Sequence, residues 1–300
     1  MSHAFLFPGQ GSQYIGMGRE LADRVLGEPL SELCFGGDEE RLTRTENTQP
    51  AILTVSVAAL RVLERRGLTA RAAAGHSLGE YTAHVAAGTL DFADALRAVR
   101  QRGRFMQEAV PVGTGAMAAI LGLDADAVER ICREAASGRI VCAANLNGPG
   151  QIVISGHTEA VERASAAAVS AGARRAVPLA VSAPFHSPLM APAAQRLAPV
   201  LRSIELRDPA FPVYANATAT PVTSAAAARE ALLEQVASPV RWEETIGAMF
   251  DSGIDTFVEI GPGRVLSGLA RRIRKSARVL NVERPDDVAA LLAALEAAEA

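Results

Sequence analysis

The residues best suited to chemistry form the segment GHSLG at positions 75–79, a serine in a turn bounded by glycines. A short apolar run at 72–74 precedes it and a helical pattern follows, which is the strand–turn–helix setting of a GxSxG nucleophile elbow. In so sharp a turn the backbone segments pack closely, and side chains at the glycine positions would obstruct them. The Leu78 amide then lies at a helix N-terminus, facing the place where an oxyanion forms. This context favours Ser77 as a nucleophile over a serine in an ordinary turn.

A serine hydroxyl needs a base, and geometry separates the five histidines of the chain: His3, His76, His84, His157 and His186. His76 is adjacent to the serine on a sharp turn, where consecutive side chains diverge, so it should point away from the hydroxyl. His84 lies about 10 Å farther along the helix, which is too far for a hydrogen bond. His3 precedes a strand and His157 begins a helix, positions typical of solvent-facing or capping roles. His186 lies in the segment 182–188, where two prolines restrict its conformation. His186 is therefore the predicted base.

Arg102 is an unusual charge on an apolar face of the predicted helix 91–109. It shares that face with Ala95, Ala98, Val99, Phe105, Met106 and Ala109. A guanidinium in such surroundings requires an anionic partner. Periodicity alone leaves two alternatives open, an internal salt bridge or a contact with a ligand. If the partner is a ligand, the planar guanidinium favours a carboxylate or a phosphate.

Two glycine-rich turns, at 9–13 and 261–264, do not continue as GxGxxG, and the chain has no GxxxxGK segment followed by Ser or Thr. NAD and ATP are therefore not expected as cofactors. The three cysteines, Cys34, Cys132 and Cys142, have neither CxxC spacing nor histidine neighbours. Neither a disulfide framework nor a metal site is expected.

The 300 residues include 30 Lys and Arg against 33 Asp and Glu, a formal charge of −3. Nucleic-acid binding is not expected, because it needs a strongly basic surface. Hydrophobic residues make up 49% of the chain, which is enough to fill a sizeable core. No window approaches the ~20 apolar residues of a membrane span, and the amino terminus lacks the pattern of a secretion signal. We therefore expect a cytoplasmic protein that does not bind membranes.

The elements that must position these residues alternate between strands and helices. Strand patterns at 4–7, 72–75 and 256–260 each lead through a glycine-containing turn into a helix. The alternation predicts an α/β fold, with an α/β-hydrolase-like large domain of mostly parallel sheet formed by residues 1–112 and 183–300. Its predicted helices are 50–66, 78–87, 91–109, 189–201, 225–236, 241–252, 264–275 and 286–298.

Residues 113–182 interrupt this rhythm with the order β–α–β–β–α–β, which is typical of a ferredoxin-like subdomain. The predicted elements are 115–121, 124–136, 139–144, 151–155, 158–171 and 174–180. The chain would cross between the two parts at 113–115 and 182–184, so the small subdomain is inserted into the large domain. A cleft between the two parts is the expected site.

Taken together, the motifs resemble those of malonyl-CoA:acyl-carrier-protein transacylases and of the acyltransferase domains of polyketide synthases, over essentially the whole chain. The matching segments, in order, are FPGQGSQ at 7–13, GHSLGEY at 75–81, RGRFMQ at 102–107, NLNGPGQ at 145–151, PFHSPLM at 184–190 and EIGPG at 259–263. One such motif is weak evidence, whereas six in the same order are strong evidence.

The resemblance implies that Ser77 is the acyl-accepting nucleophile and His186 its general base, a dyad without a third carboxylate. In the family a backbone carbonyl orients the histidine, and the matching position here is Gln235. The backbone amides of Gln10 and Leu78 correspond to the oxyanion hole.

The resemblance also implies a substrate preference. Arg102 matches the arginine that binds the free carboxylate of a malonyl group. Phe185, directly before the histidine, matches malonyl-selective polyketide acyltransferases, in which smaller residues accompany methylmalonyl use. Leu78 is likewise typical of the malonyl type. An extra methyl group is discriminated by about 1–3 kcal/mol in such pockets.

The reaction implied is a ping-pong transfer from malonyl-CoA through an acyl-serine to the phosphopantetheine thiol of an acyl carrier protein. We expect the carrier to be a separate chain, the enzyme to be a monomer, and no cofactor to be needed. Candidate docking charges for an acidic carrier are Arg271, Arg272, Arg274 and Lys275, with Arg174 and Arg175; a merely solvated helix end is the alternative.

Two other functions fit parts of the pattern. A proofreading acyl hydrolase would share the serine and the histidine, but it has no use for Arg102 as a carboxylate ligand. A catalytically idle subunit that binds a carrier protein would not need an intact Ser77 and His186.

Overall fold

The computed structural model of the protein describes residues 3–13, 39–181 and 183–297. Its strands are β1 (His3–Phe7), β2 (Ala72–Gly75), β3 (Gly115–Leu121), β4 (Val141–Gly148), β5 (Gln151–His157), β6 (Arg175–Pro178), β7 (Val213–Tyr214), β8 (Pro221–Val222), β9 (Thr256–Ile260) and β10 (Arg278–Val282). Its α-helices are α1 (Glu39–Thr43), α2 (Thr45–Glu64), α3 (Leu78–Ala86), α4 (Phe92–Gln107), α5 (Ala125–Ala135), α6 (Thr158–Ser170), α7 (Ala191–Ser203), α8 (Ala225–Gln235), α9 (Trp242–Asp251), α10 (Val265–Ile273) and α11 (Pro285–Glu296). Over these three ranges, no helix is long and apolar enough to cross a membrane.

Six of the strands form one sheet in the order β10–β9–β1–β2–β7–β8. All neighbours in it are parallel except β7 and β8, which run antiparallel. The register aligns Phe7 with Gly75 and Leu6 with Glu259, so the carboxyl ends of β1, β2 and β9 meet at one edge. The turns that follow these strands therefore lie together at that edge of the sheet, including the turn after β2 that contains Ser77.

The central strand β1 is buried on both faces, as expected in a parallel sheet covered by helices on each side. Phe5 and Phe7 pack on one face, with residues of α2 and α11. Ala4 and Leu6 pack on the other face, with residues of α9 and α10. This alternation fixes the strand's register, because a shift of one residue would exchange the two faces.

The other four strands form a separate antiparallel sheet in the order β4–β5–β3–β6, with α5 and α6 packed against it. The predicted β–α–β–β–α–β order of this segment is confirmed, and so is a mixed α/β fold with a mainly parallel sheet. Helix α5 begins one residue after the predicted start, because Asp124 is its N-cap and its side chain accepts a hydrogen bond from the Ala127 amide at 2.7 Å.

The antiparallel sheet is joined to the rest of the chain by backbone hydrogen bonds. Val240 donates to the Ala144 carbonyl at 2.8 Å and accepts from the Leu146 amide at 2.9 Å. Where the chain crosses, Gly115 packs so closely on Pro184 that an added Cβ would lie 2.4 Å from the proline ring. The two parts of the chain thus meet in a tight contact beside the carboxyl edge of the large sheet.

Helix α2 differs from the prediction, which began it at Pro50. It starts at Thr45, and Pro50 lies inside it. A proline cannot donate to the carbonyl four residues earlier, here that of Glu46. The Arg100 guanidinium donates to that carbonyl at 2.9 Å instead, so the carbonyl is not left without a hydrogen-bond partner. The short elements α1, β7 and β8 and the edge strand β10 are also absent from the predicted set.

Candidate active site

Ser77 lies in a strained turn between β2 and α3. Its φ is 52° and its ψ is −106°, a left-handed conformation that is costly for a residue with a side chain. An added Cβ at Gly75 would lie 1.9 Å from the backbone of Gly79, and one at Gly79 would lie 2.0 Å from the Phe7 carbonyl. Both glycines are therefore required sterically, as the sequence pattern predicts.

Asn216, in the loop after β7, holds this turn on both sides of the serine. Its side-chain Oδ1 accepts a hydrogen bond from the Ser77 amide at 2.6 Å, and its Nδ2 donates to the Gly75 carbonyl at 2.7 Å. The residue is completely buried. Sequence analysis missed it, because it lies in a loop without periodicity and far along the chain from the serine.

The structure brings Ser77 and His186 into direct contact, with the hydroxyl Oγ 2.7 Å from the imidazole Nε2. The other ring nitrogen, Nδ1, lies 3.1 Å from the carbonyl oxygens of both Gln235 and Ser238. Since both partners can only accept, Nδ1 carries the proton and Nε2 is free to accept one from the serine. The Gln235 carbonyl stands where the resemblance implies, whereas Ser238 is an additional partner.

His186 is 3% exposed, and burial is the main reason why its pKa falls to about 3. The nearby charge of Arg102 and the ring of His76 lower the pKa further. The two carbonyls oppose this effect but do not reverse it. The imidazole is therefore neutral near pH 7, which is the form that a general base needs.

Three of the other histidines, His76, His84 and His157, do not contact the serine hydroxyl. His76 contacts Asn147 Oδ1 at 2.8 Å and packs against the ring of Trp242. His84 is buried, and burial lowers its pKa to about 4. His157 is the N-cap residue of α6, as expected, but its side chain accepts from the Ile140 amide at 3.0 Å and does not cap the helix.

Arg102 is 1% exposed and has neutral hydrogen-bond partners. One terminal nitrogen, Nη1, donates to Gln49 Oε1 at 2.8 Å; the other, Nη2, donates to Gln235 Oε1 at 2.8 Å and to Ser77 Oγ at 3.0 Å. Within the described ranges, no carboxylate lies within ion-pairing distance of it. Of the two alternatives open from periodicity, a direct internal salt bridge is therefore not formed with any described residue. The positively charged guanidinium lies beside the serine, where it can contact a ligand.

These residues line one cavity of about 100 Å³, which also includes the two residues matched to the oxyanion hole. Leu78 is the first residue of α3, so its amide is a free donor of the helix N-terminus. Gln10 follows β1, and Phe185 is 7% exposed. The lining residues are Gln10, Gln49, His76, Ser77, Leu78, Arg102, Met106, Met117, Asn145, Leu179, Val181, Phe185 and His186.

No cluster of metal ligands accompanies the cavity: the described part of the chain holds no group of three or more His, Cys, Asp or Glu that could bind a metal. Cys132 and Cys142 are free thiols whose pKa values burial raises to about 12 and about 11, and Cys34 lies outside the described residues.

Two of the candidate docking charges have partners within the protein. Arg271 donates to the Val279 carbonyl, and Arg274 contacts Asp251.

Comparison with known proteins gives consistent matches. A family model described as "Acyl transferase domain" matches residues 4–293. The malonyl CoA-acyl carrier protein transacylase of Bacillus subtilis is 50% identical, over 95% of this chain and 94% of that protein. The transacylase of the same name from Escherichia coli strain K12 is 48% identical, over 96% of this chain and 98% of that protein.

Solved structures agree with these matches. The malonyl CoA-acyl carrier protein transacylase of Coxiella burnetii superposes with a TM-score of 0.94 at 44% identity, covering 97% of this chain and 96% of that one. A malonyl-transacylase in complex with a type II polyketide synthase acyl-carrier protein also has a TM-score of 0.94, at 47% identity, covering 97% of this chain and 99% of that one.

Replacing Asn216 by Ala should loosen the serine turn. We expect Asn216→Ala to lower the free energy of unfolding by about 2–3 kcal/mol, because it leaves the buried Ser77 amide and the Gly75 carbonyl unpaired. Reaction of Ser77 with an activated ester such as p-nitrophenyl acetate should slow at least about tenfold, because the hydroxyl is no longer held toward His186. Urea unfolding and stopped-flow absorbance measure the two effects. Asn281→Ala on β10 is the matched control, and equal behaviour of the two variants would contradict the assignment.

The low pKa of His186 predicts an unusual pH profile. An ordinary imidazole becomes protonated below about pH 6.5 and loses base activity about tenfold per pH unit. Because the pKa of His186 is lowered to about 3, the base stays neutral, and reaction of Ser77 with an activated ester should remain level between about pH 6 and pH 4.5. Circular dichroism at each pH checks that the fold persists. A decline in rate centred near pH 6.5 would show that the prediction is wrong.

Proposed function

Since this chain belongs to the acyl transferase domain family and is an acyltransferase enzyme, we propose that it transfers a malonyl group from malonyl-CoA to the phosphopantetheine thiol of an acyl carrier protein. The relatives' names support this donor and acceptor, because both are called malonyl CoA-acyl carrier protein transacylase. The similar structure of a malonyl-transacylase bound to an acyl-carrier protein supports the carrier as partner. The corresponding role is supply of malonyl units to fatty-acid or polyketide synthesis.

One observation carries the proposal: Ser77 Oγ lies 2.7 Å from His186 Nε2 and 3.0 Å from Arg102 Nη2. A nucleophile, its base and a buried cation therefore share one small cavity. In a malonyl group a single methylene separates the reacting carbonyl from the carboxylate, so a cation this close to the nucleophile suits that acyl length. A hydrolase for simple acyl groups has no use for such a cation, which disfavours the proofreading alternative.

In the first half-reaction the Ser77 hydroxyl gives its proton to His186 Nε2 while Oγ attacks the thioester carbonyl of malonyl-CoA. The amides of Gln10 and Leu78 are the donors for the oxyanion that forms. The imidazolium keeps its Nδ1 proton on the carbonyls of Gln235 and Ser238. When the carbon–sulfur bond breaks, the sulfur of CoA takes the proton from Nε2, and malonyl remains as an ester on Ser77.

The second half-reaction is the reverse of the first with a different thiol. After CoA has left, the phosphopantetheine thiol of the carrier gives its proton to His186 and attacks the malonyl ester. The serine oxygen leaves and regains the proton from Nε2. This ping-pong sequence needs no cofactor, because acyl exchange between oxygen and sulfur requires only a nucleophile, a base and oxyanion donors.

Arg102 binds the malonyl carboxylate in this scheme. Its Nη2 donates to Ser77 Oγ, and the planar guanidinium can donate two parallel hydrogen bonds to a carboxylate. Phe185 and Leu78 line the same cavity and limit the space for a substituent on the methylene carbon. We propose that they favour malonyl over methylmalonyl by crowding.

The proposal extends to the organisation of the protein. The parallel and antiparallel sheets support an α/β-hydrolase-like catalytic domain, residues 1–112 and 183–300, with a ferredoxin-like subdomain inserted at 113–182. We expect a monomer in the cytoplasm that binds neither nucleic acid nor membranes.

Three exposed basic side chains are candidates for contact with the carrier. Lys275 is exposed, as are Arg174 and Arg175, and we propose these side chains as docking charges for an acidic carrier.

Intact-mass analysis tests the proposed reaction directly. Brief incubation with malonyl-CoA should add one malonyl group to the protein, and later addition of a carrier protein bearing phosphopantetheine should remove it and malonylate the carrier. Ser77→Ala should form no adduct and keep its fold. Malonyl found on that variant, or an adduct lost to water as fast as to the carrier, would contradict the proposal.

The role of Arg102 predicts a difference between two substrates. Arg102→Ala should slow loading from malonyl-CoA by at least about 100-fold while sparing loading from acetyl-CoA, because only malonyl leaves an unpaired carboxylate in the cavity. Arg102→Lys should restore part of the malonyl rate, since an ammonium cannot donate in parallel to both oxygens. The exposed Arg97 on the same helix is the matched control, as Arg97→Ala. Equal loss with both substrates and a lower melting temperature would mean that Arg102 is only structural.

A further inference from the structure

Glu80 is a completely buried carboxylate that the proposed mechanism does not use. It lies on α3, three residues after the serine. Its Oε2 accepts hydrogen bonds from the Asn216 amide at 2.9 Å and from Gln235 Nε2 at 2.8 Å. Its other oxygen, Oε1, is buried and has no hydrogen-bond partner in the described ranges. A buried carboxylate with only half of its oxygens satisfied requires a nearby positive charge or a proton.

The positive charge is Arg102, which reaches Glu80 through one shared side chain. The Gln235 amide accepts from Arg102 Nη2 with its oxygen and donates to Glu80 Oε2 with its nitrogen, both at 2.8 Å. The guanidinium is near enough to lower the pKa of Glu80. Two more charged or titratable groups face this carboxylate, the exposed Glu234 from α8 and the phenol of Tyr81 on its own helix.

We propose that Glu80 is the counter-charge of Arg102 in the free enzyme and takes up one proton from solution when a substrate carboxylate binds Arg102. The inference rests on the proposed function, in which that carboxylate belongs to malonyl. One buried guanidinium compensates one negative charge, and two neighbouring buried carboxylates do not both remain ionised. The substrate carboxylate keeps its charge, because it contacts the guanidinium directly, whereas Glu80 is separated from Arg102 by an amide.

The geometry of Glu80 allows this exchange without rearrangement. A proton on Oε1 leaves Oε2 as a carbonyl oxygen, which still accepts from Asn216 and Gln235. Burial raises the pKa of Glu80 to about 7, with the two hydrogen bonds and Arg102 opposing the rise. A second negative charge in the cavity raises the pKa again, so the carboxyl passes from mostly ionised to mostly protonated near neutral pH. Binding of an uncharged acyl group such as acetyl adds no such charge.

The test is a proton count during a single round of acylation. Enzyme in weak buffer at about pH 7.5 is mixed with malonyl-CoA or acetyl-CoA, a pH indicator reports the protons taken up, and intact mass reports the adduct. Acylation itself consumes and releases no net proton, since the serine proton ends on CoA. Because Glu80 is about three-quarters ionised at this pH, we expect uptake of about 0.5–0.75 proton per malonyl adduct and none per acetyl adduct. Glu80→Gln should form the malonyl adduct without uptake, whereas Glu234→Gln, the same change at the exposed neighbour, should retain it.

The proton count and the adduct mass together distinguish failure of the inference about Glu80 from failure of the proposed function. A malonyl adduct without proton uptake in the wild-type protein overturns this inference and leaves the proposed function intact. Uptake that persists in Glu80→Gln overturns it as well, because another group is then the acceptor. Absence of any adduct overturns the proposed function and the inference together. If Glu80→Gln does not fold, the wild-type comparison decides, and equal proton uptake with malonyl-CoA and acetyl-CoA overturns the inference.

Discussion

The side-chain amide of Gln235 contacts both the charged and the nucleophilic parts of the site, and the arrangement of the site depends on it. Its nitrogen donates to the Ser77 carbonyl at 2.9 Å and to Glu80, and its oxygen accepts from Arg102. Each of these partners accepts only or donates only, so the amide has one permitted orientation. The main-chain carbonyl of the same residue contacts His186. Base, cation and nucleophile are therefore arranged by one residue at the end of one helix.

The parallel sheet explains why residues so distant in sequence can meet there. The turns after β1, β2 and β7 leave the same edge of the sheet, and they supply Gln10, Ser77 and Asn216 in turn. His186 comes from a different source, the return of the chain from the antiparallel sheet. The site therefore lies where the carboxyl edge of the parallel sheet meets the loop that returns from the antiparallel sheet. The backbone has positive φ angles at both Ser77 and His186.

Sequence reasoning identified the residues whose types are chemically unusual in their setting. Ser77 lies in a turn whose glycines are required sterically, and Arg102 lies on the apolar face of a helix. His186 is the one of five histidines that geometry leaves as a base for the serine. Asn216 and Glu80 could not be found in this way. Their importance comes from contacts between segments more than a hundred residues apart, and no local pattern records such contacts. The same limit applies to α2, where a tertiary contact from Arg100 lets Pro50 lie inside the helix.

The backbone bridge at Val240 constrains how the cavity could be redesigned for bulkier acyl groups. Val240 is bonded to Ala144 and Leu146 of the antiparallel sheet, and the Ser238 carbonyl two residues earlier contacts the base. Moving this bridge outward would displace the Ser238 carbonyl from the imidazole and would also shift the antiparallel sheet. Leu179 and Val181 also line the cavity, where the chain returns from the antiparallel sheet, and neither is hydrogen-bonded to the base in the described part of the chain. Directed evolution of a larger acyl pocket should therefore accumulate substitutions at Leu179 and Val181 and leave the bridge at Val240 unchanged.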